Sequence, residues 1–261
     1  MKFRRIFGVI LRNTYTLKYN YEEIADLIFW PSMDILLWGI TAYFIKSLNP
    51  NFGSILFAII AGLVFWHITW RNQYEMNINL LKELWNDNLI NLFSTPLRFS
   101  EWILSHLIFG FVKMAIGFIF GIFLVYILYS VNIFSLGFYI LPFMGLLILS
   151  GWWMGFLMVG VIMRYGQRVQ ILAWAFATML SPFSAIFYPV SVLPGWAQKI
   201  SMIIPMSYTF EGIREVISTG NFDVEKVLIS LILNLFYIFL AVLWLNSSYK
   251  KILKKGLIKA N

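Results

Sequence analysis

The sequence predicts an all-α membrane protein. It would have six transmembrane helices, an N-terminal amphipathic interfacial helix, and an outer re-entrant helical hairpin between spans five and six. Three observations lead there. Of the 261 residues, 60% are hydrophobic, whereas soluble domains run about 45–50% apolar. The excess arrives in blocks, and a spanning helix needs about 20 apolar residues to cross the hydrocarbon layer. Lysine and arginine then cluster at both ends and in two internal stretches, as the positive-inside rule expects.

Residues 1–20 carry Lys2, Arg4, Arg5, Arg12 and Lys18 and lack the apolar core and cleavage site of a signal peptide. Phe3, Ile6, Phe7, Ile10, Leu11 and Leu17 fall near one helical face, with the basic residues mostly opposite. That pattern suits a helix lying on an anionic membrane surface. The expected organisation is 1–20 interfacial helix, 21–249 transmembrane domain and 250–261 basic cytoplasmic tail.

The spans are expected at 27–47, 53–70, 102–130, 137–163, 169–189 and 227–246. Leu48-Asn49-Pro50-Asn51 supplies turn chemistry between the first two. The polar stretch Arg71–Ser100 separates spans two and three, and an uncharged turn near Val131–Ser135 follows span three. Arg164-Tyr165-Gly166-Gln167-Arg168 links spans four and five, and the semi-polar segment Val190–Glu225 precedes span six.

With the N-terminus inside, the cytoplasmic side holds the basic N-terminus, Arg71, Lys82, Arg98, Arg164, Arg168, Lys250, Lys251, Lys254, Lys255 and Lys259. The outside holds only Lys46, Lys199, Arg214 and Lys226. An even span count puts both termini on one side. The net charge of +8 therefore reflects topology, and no nucleic-acid partner is expected. The chain has no cysteine, which excludes disulfides, thiolate metal sites and a cysteine nucleophile.

No phosphate loop, nucleophile elbow or H-E-x-x-H is present. His67 and His106 lie in different spans, so no metal site and no cofactor are expected. Intramembrane charge is the default functional signal of a transporter. Here it reduces to Asp34 in span one and Lys113 in span three, with His106 on roughly the same face as Lys113. Two readings stand. Asp34 and Lys113 pair as a gate or packing lock, or Lys113 snorkels to the interface while Asp34 bonds a neighbouring helix. An ion-coupled secondary carrier would need more mid-membrane acids than Asp34. An intramembrane lipid- or glycan-modifying enzyme would rest on His106 with Glu101.

Within 71–100, Met76, Leu80, Leu81, Leu84, Trp85 and Leu92 recur with rough helical periodicity. This is either a plain amphipathic loop helix or a docking helix for a cytosolic protein. Thr95-Pro96 ends it, and Ser100-Glu101 would cap the next helix. The segment 190–220 reads as two short helices. Trp196, Ile200, Ile203 and Ile204 mark one apolar face, broken by Pro205. Ser207 would cap the second, Glu211 would sit in its first turn, Phe210, Ile213 and Ile217 form its apolar face, and Gly220 would stop it. Such short helices suit a re-entrant hairpin or an interfacial plug. Trp30, Trp66, Trp70, Trp102, Trp196 and Trp244 lie near predicted span ends, as interface belts do.

This layout resembles the membrane subunit of type-2 ABC exporters. The resemblance is carried by the loop Leu89–Leu97, by Phe187-Tyr188-Pro189-Val190-Ser191-Val192-Leu193-Pro194-Gly195-Trp196, by Ile204-Pro205-Met206-Ser207 and by Phe210-Glu211-Gly212-Ile213-Arg214. It implies two copies of the membrane subunit working with two cytosolic ABC ATPase subunits, so ATP chemistry belongs to a partner chain. It implies a coupling helix across Glu83, Leu84, Trp85, Asn86, Asp87 and Leu92, and an exit-lining hairpin that includes Pro194, Trp196, Pro205, Glu211 and Arg214. It further implies a prokaryotic plasma membrane, membrane lipids as partners, and both termini in the cytoplasm. No fused ATPase domain and no large outer domain are seen.

Overall fold

Asn20 ends one helix and opens the next. Its backbone leaves the helical region, and its side-chain oxygen accepts the Glu22 and Glu23 amides at 3.1 and 3.2 Å, the chemistry of an N-cap. The computed structural model describes residues 2–48 and 53–255. The predicted turn at Asn49–Asn51 and the tail residue Lys259 lie outside the described residues. Among the described residues the structure is helical and contains no strand.

The elements are α1 (Phe3–Tyr19), α2 (Tyr21–Leu48), α3 (Gly53–Trp85), α4 (Leu89–Ser94), α5 (Phe99–Tyr129), α6 (Ile140–Tyr165), α7 (Gln170–Leu180), α8 (Gly195–Ser201), α9 (Pro205–Thr219) and α10 (Val224–Lys255). Short 3-10 turns at Ile133–Tyr139 and Gly166–Val169 lead into α6 and α7. Among the described residues, five helical runs are long and apolar enough to cross a membrane: 21–47, 55–85, 99–129, 133–183 and 224–254.

The core is built around α3. Its apolar window is 72% buried, against 22% for α2 and 17% for α10, so α3 is the central helix and the other two present broad faces outward. Small residues let α6 approach it closely. A Cβ on Gly151 would lie 2.7 Å from the Thr69 carbonyl oxygen, and one on Gly155 would lie 3.1 Å from the Met76 Cβ. Thr69 Oγ1 donates to the Leu147 carbonyl at 3.1 Å. These contacts advance together, so α3 and α6 run parallel. α10 runs parallel to α6 in turn. Ser150 Oγ donates to Asn234 Oδ1 at 2.9 Å, and further along Arg164 Nε donates to Ser248 Oγ at 2.8 Å.

Gly166 closes α6 with a positive φ of 68°, a conformation open to glycine at little cost. The chain then turns back. Trp85 Nε1 donates to Gln170 Oε1, Gln73 Nε2 donates to the Ala173 carbonyl at 2.7 Å, and the Ile186 carbonyl packs where a Cβ on Gly62 would sit. Residues 170–186 thus descend the α3 numbering as their own rises. The expected break at 164–168 is therefore present inside the single apolar run 133–183.

Several expected boundaries shift. The first long helix begins at Tyr21 rather than Leu27, and α3 continues unbroken to Trp85 instead of ending near Trp70. The third span begins at Phe99, with Arg98 as N-cap in place of Ser100. Glu101 serves from inside the first turn, accepting the Arg98 amide at 3.0 Å and the Lys2 amide at 2.8 Å. Pro205 opens α9 as its first residue, where a missing N–H costs nothing. Ser207 is consequently inside α9, and its hydroxyl donates back to Ser201 and Ile204 carbonyls. Gly220 stops α9 as expected, at φ 76°.

Candidate functional site

The segment read as a cytoplasmic loop begins, in the structure, with a buried charge network. Arg71 Nη1 lies 2.8 Å from Asp26 Oδ2, and Arg71 Nη2 lies 3.0 Å from Glu75 Oε1. Lys113 Nζ lies 2.5 Å from the same Glu75 oxygen and 3.3 Å from Glu23 Oε2. Glu23 also pairs with Lys82. Three cations meet three anions across α2, α3 and α5, so the cluster is neutral. Gly110 makes room for it, since a Cβ there would touch the Glu75 side chain at 3.3 Å. Isolated buried charges are costly, and pairing with good geometry is what makes them tolerable.

This arrangement corrects the Lys113 half of both readings and agrees with the expectation that Asp34 meets a neighbouring helix. Lys113 does not pair with Asp34, and its side chain does not snorkel, being 2% exposed. Asp34 instead faces His67, at 3.4 Å between Oδ2 and Nε2. His106 bonds elsewhere, its Nε2 lying 3.2 Å from Asn13 Nδ2 and its Nδ1 2.8 Å from the Trp102 carbonyl. It sits away from both charges and serves to dock α1.

Above the network, α2, α3 and α7 enclose a cleft of about 660 Å³. α2 contributes Asp26, Trp30, Asp34 and Trp38, four positions spaced by one helical turn, which lie on one face. α3 contributes Leu63, Trp66, His67, Trp70 and Tyr74, and α7 contributes Trp174 and Thr178, with Ser181 and Phe187 beyond it. The rings are ordered among themselves. Trp38 stacks on Phe187 with centroids 4.3 Å apart, and Trp70 stacks on Tyr74 at 5.0 Å. Trp30, Trp66 and Trp70 thus line a cleft, although their sequence positions suggested an interface belt. Trp102 is likewise buried, and Trp244 packs where a Cβ on Gly160 would lie, 3.7 Å from the Arg164 guanidinium.

The expected coupling residues divide into two groups. Glu83, Leu84 and Leu92 point inward and are buried. Glu83 pairs with Arg12 of α1 and accepts Asn88 Nδ2 at 2.6 Å, so it is an internal tie rather than a free contact. Trp85, Asn86 and Asp87 are exposed, as are Ile90, Asn91 and Ser94 on α4. Asp87 takes a positive φ of 49°, which lets the chain reverse between α3 and α4. The α1 helix docks through Ile6, Val9 and Asn13, all buried. Its apolar and aromatic stripe Phe3, Phe7, Leu11 and Tyr15 stays exposed. Ile6 therefore belongs to the docking face, not to the outward face where the sequence placed it.

In the segment 185–214, Glu211 and Arg214 form a clamp. Glu211 Oε1 accepts the Val190 amide at 2.6 Å and lies 3.2 Å from Arg214 Nη1. Arg214 Nη2 donates to the Ala185 carbonyl at 2.8 Å, and Ala185 itself holds φ at 58°. Glu211 is the seventh residue of α9 and not in its first turn as expected; it accepts instead the first amide of the 3-10 turn Val190–Val192, and with Arg214 it fixes the backbone that leads from α7 into α8. Pro194 is the N-cap of α8, and Trp196 is exposed rather than part of an apolar face with Ile200 and Ile204.

Several apolar helical runs of spanning length, a buried neutral charge network and an aromatic cleft define a multi-pass helical membrane protein of the transport class. The chain belongs to the ABC-2 type transporter family, whose family model matches residues 27–218. It is a transporter permease, a membrane component that is not itself catalytic. No curated protein matches the chain. The family match takes in the clamp, the α3 and α5 members of the network and the cleft from Trp30 onward; α1, α10 and the α2 carboxylates Glu23 and Asp26 lie outside it.

Proposed function

We propose that the chain is the pathway-forming subunit of an ATP-driven exporter, working as a pair with cytosolic ABC ATPase subunits that carry all ATP chemistry. The observation that carries the reading is the family match over 27–218. In this reading the run 133–183 crosses the bilayer twice, through α6 and through α7 with its flanking turns, giving six spans. α8 and α9 form a re-entrant outer hairpin, and both termini lie in the cytoplasm of a prokaryotic cell.

Support for the coupling site comes from the tip between α3 and α5. Trp85, Asn86, Asp87 and the outer face of α4 are exposed, while Glu83 and Leu92 anchor the tip from within. A rigidly tied, exposed tip at the end of the central helix suits transmission of a push from an ATPase into the bundle. Adjacent α1 presents its exposed apolar and aromatic stripe beside Arg4 and Lys18, which suits an anionic membrane surface.

The test is co-expression and co-purification with ABC ATPase chains of the same genome, followed by ATP hydrolysis in lipid nanodiscs. The expected result is a stable complex whose association is lost in Trp85→Ala/Ile90→Asp and kept in wild type. A chain that binds no ATPase and drives uptake from an ion gradient alone would overturn the reading.

A further inference from the structure

We propose that the cleft between α2, α3 and α7 binds a hydrophobic organic cation, held by indole faces and by the Asp34 carboxylate. The proposal deepens the permease reading by naming a class of cargo, yet binding itself requires no ATPase.

The charges of the cleft decide the sign of the ligand. Two carboxylates line it, Asp26 and Asp34. Asp26 is neutralised at 2.8 Å by Arg71, whose guanidinium also engages Glu75 and lies over the Tyr74 ring. Asp34 is different. Its side chain is 43% exposed, its ion-pair neighbour is His67 at 3.4 Å, and among the described residues no lysine or arginine nitrogen lies within 4.0 Å of it. It sits midway along α2, and carboxylates at such depth face a partner or a water-filled path.

The walls add attraction of the same sign. Trp30 and Trp38 flank Asp34 one turn below and one turn above, and Trp66 and Trp70 face it from α3. Aromatic faces carry negative quadrupole density, so rings and carboxylate both favour a cation. Among the described residues, no lysine or arginine side chain lines the cleft. An anionic cargo would meet repulsion from Asp34 and from the ring faces, and a neutral glycan could hydrogen-bond Asp34 but would leave its charge unmatched. The volume of about 660 Å³ falls in the range of small-molecule sites, roughly 300–1,000 Å³.

The experiment uses the full chain in nanodiscs without ATPase. Tetraphenylphosphonium and tetraphenylborate, matched in size and opposite in charge, are titrated with intrinsic tryptophan fluorescence as readout and empty nanodiscs subtracted. Saturable quenching by the cation and none by the anion is expected. Asp34→Asn should weaken cation binding about tenfold, the scale of losing one charge-assisted contact, and Asp34→Glu should retain it. Equal binding of both ions, tighter binding of a neutral oligosaccharide, or unchanged affinity in Asp34→Asn would overturn the proposal. The two ions alone decide it should Asp34→Asn fail to fold. A chain that couples to an ATPase but ignores the cation loses only this site. A chain that binds the cation but no ATPase keeps the site and loses the exporter reading.

Discussion

Lys113 and Glu75 face each other at 2.5 Å with side chains 2% and 1% exposed, joining α5 to the central helix through a charge pair almost out of reach of water. Arg71 shares the Glu75 carboxylate at 3.0 Å. Removing one member leaves the others uncompensated. Lys113→Met should therefore destabilise the protein by about 3–5 kcal/mol, whereas Lys113→Met with Glu75→Gln should recover part of the loss. Thermal unfolding of the detergent-solubilised variants, followed by size-exclusion recovery, measures both.

Helix spacing supplies a second expectation. Gly151 lies against the Thr69 carbonyl and the Asn72 side chain, where an added Cβ would meet atoms at 2.7 and 2.6 Å. Gly145, on the same helix, has nothing within 4 Å. Gly151→Leu should cost about 1–3 kcal/mol or more by forcing α3 and α6 apart, as overpacking does. Gly145→Leu should be close to neutral. The difference in unfolding midpoint between the two variants is the check.

The Glu211–Arg214 clamp gives a third. Glu211→Ala orphans the Val190 amide and removes the partner of Arg214. A buried group left unpaired costs about 1–3 kcal/mol. Glu211→Gln keeps an acceptor and should cost less. Because the released segment is 185–190, a cysteine placed at Tyr188 should react faster with maleimide in Glu211→Ala than in wild type. Equal rates in the two backgrounds would mean that the clamp does not hold this segment.

The docking of α1 gives a fourth. Glu83 ties it to the bundle through Arg12, and Glu101 accepts the Lys2 amide. Glu83→Gln should raise protease cleavage between α1 and α2 several-fold while leaving α3 to α10 intact. Unchanged cleavage would assign the docking to the buried Ile6, Val9 and Asn13 face and the Glu101 contact, without a part for the Arg12–Glu83 pair.

The apolar centres of the spans were legible because hydrophobic runs need no partner to be recognised. The lower third of the bundle was not. Arg71, Glu75 and Lys82 read as loop residues, since their counter-charges Glu23, Asp26 and Lys113 come from helices distant in sequence. The four-residue spacing Asp26, Trp30, Asp34, Trp38 was visible, but the cleft it faces depends on α7 folding back along α3. Glu211 reads in the sequence as a first-turn carboxylate and, with Arg214, as part of the exit-lining hairpin that the resemblance implies; their clamp emerges only when the 185–190 segment is in place. The tryptophans near span ends misled in the same way, because a belt and a cleft wall share one sequence pattern.

The account turns on whether the run 133–183 crosses the membrane twice, because that parity decides where the C-terminal tail lies. The chain has no native cysteine, so single replacements report position cleanly. Asn91→Cys, Ser191→Cys and Lys250→Cys are each exposed to a membrane-impermeant maleimide in intact cells and again after permeabilisation. The account predicts that Ser191→Cys labels in intact cells, while Asn91→Cys and Lys250→Cys label only after permeabilisation. Labelling of Lys250→Cys in intact cells would contradict it, leaving five crossings and no pairing of the coupling tip with the basic tail.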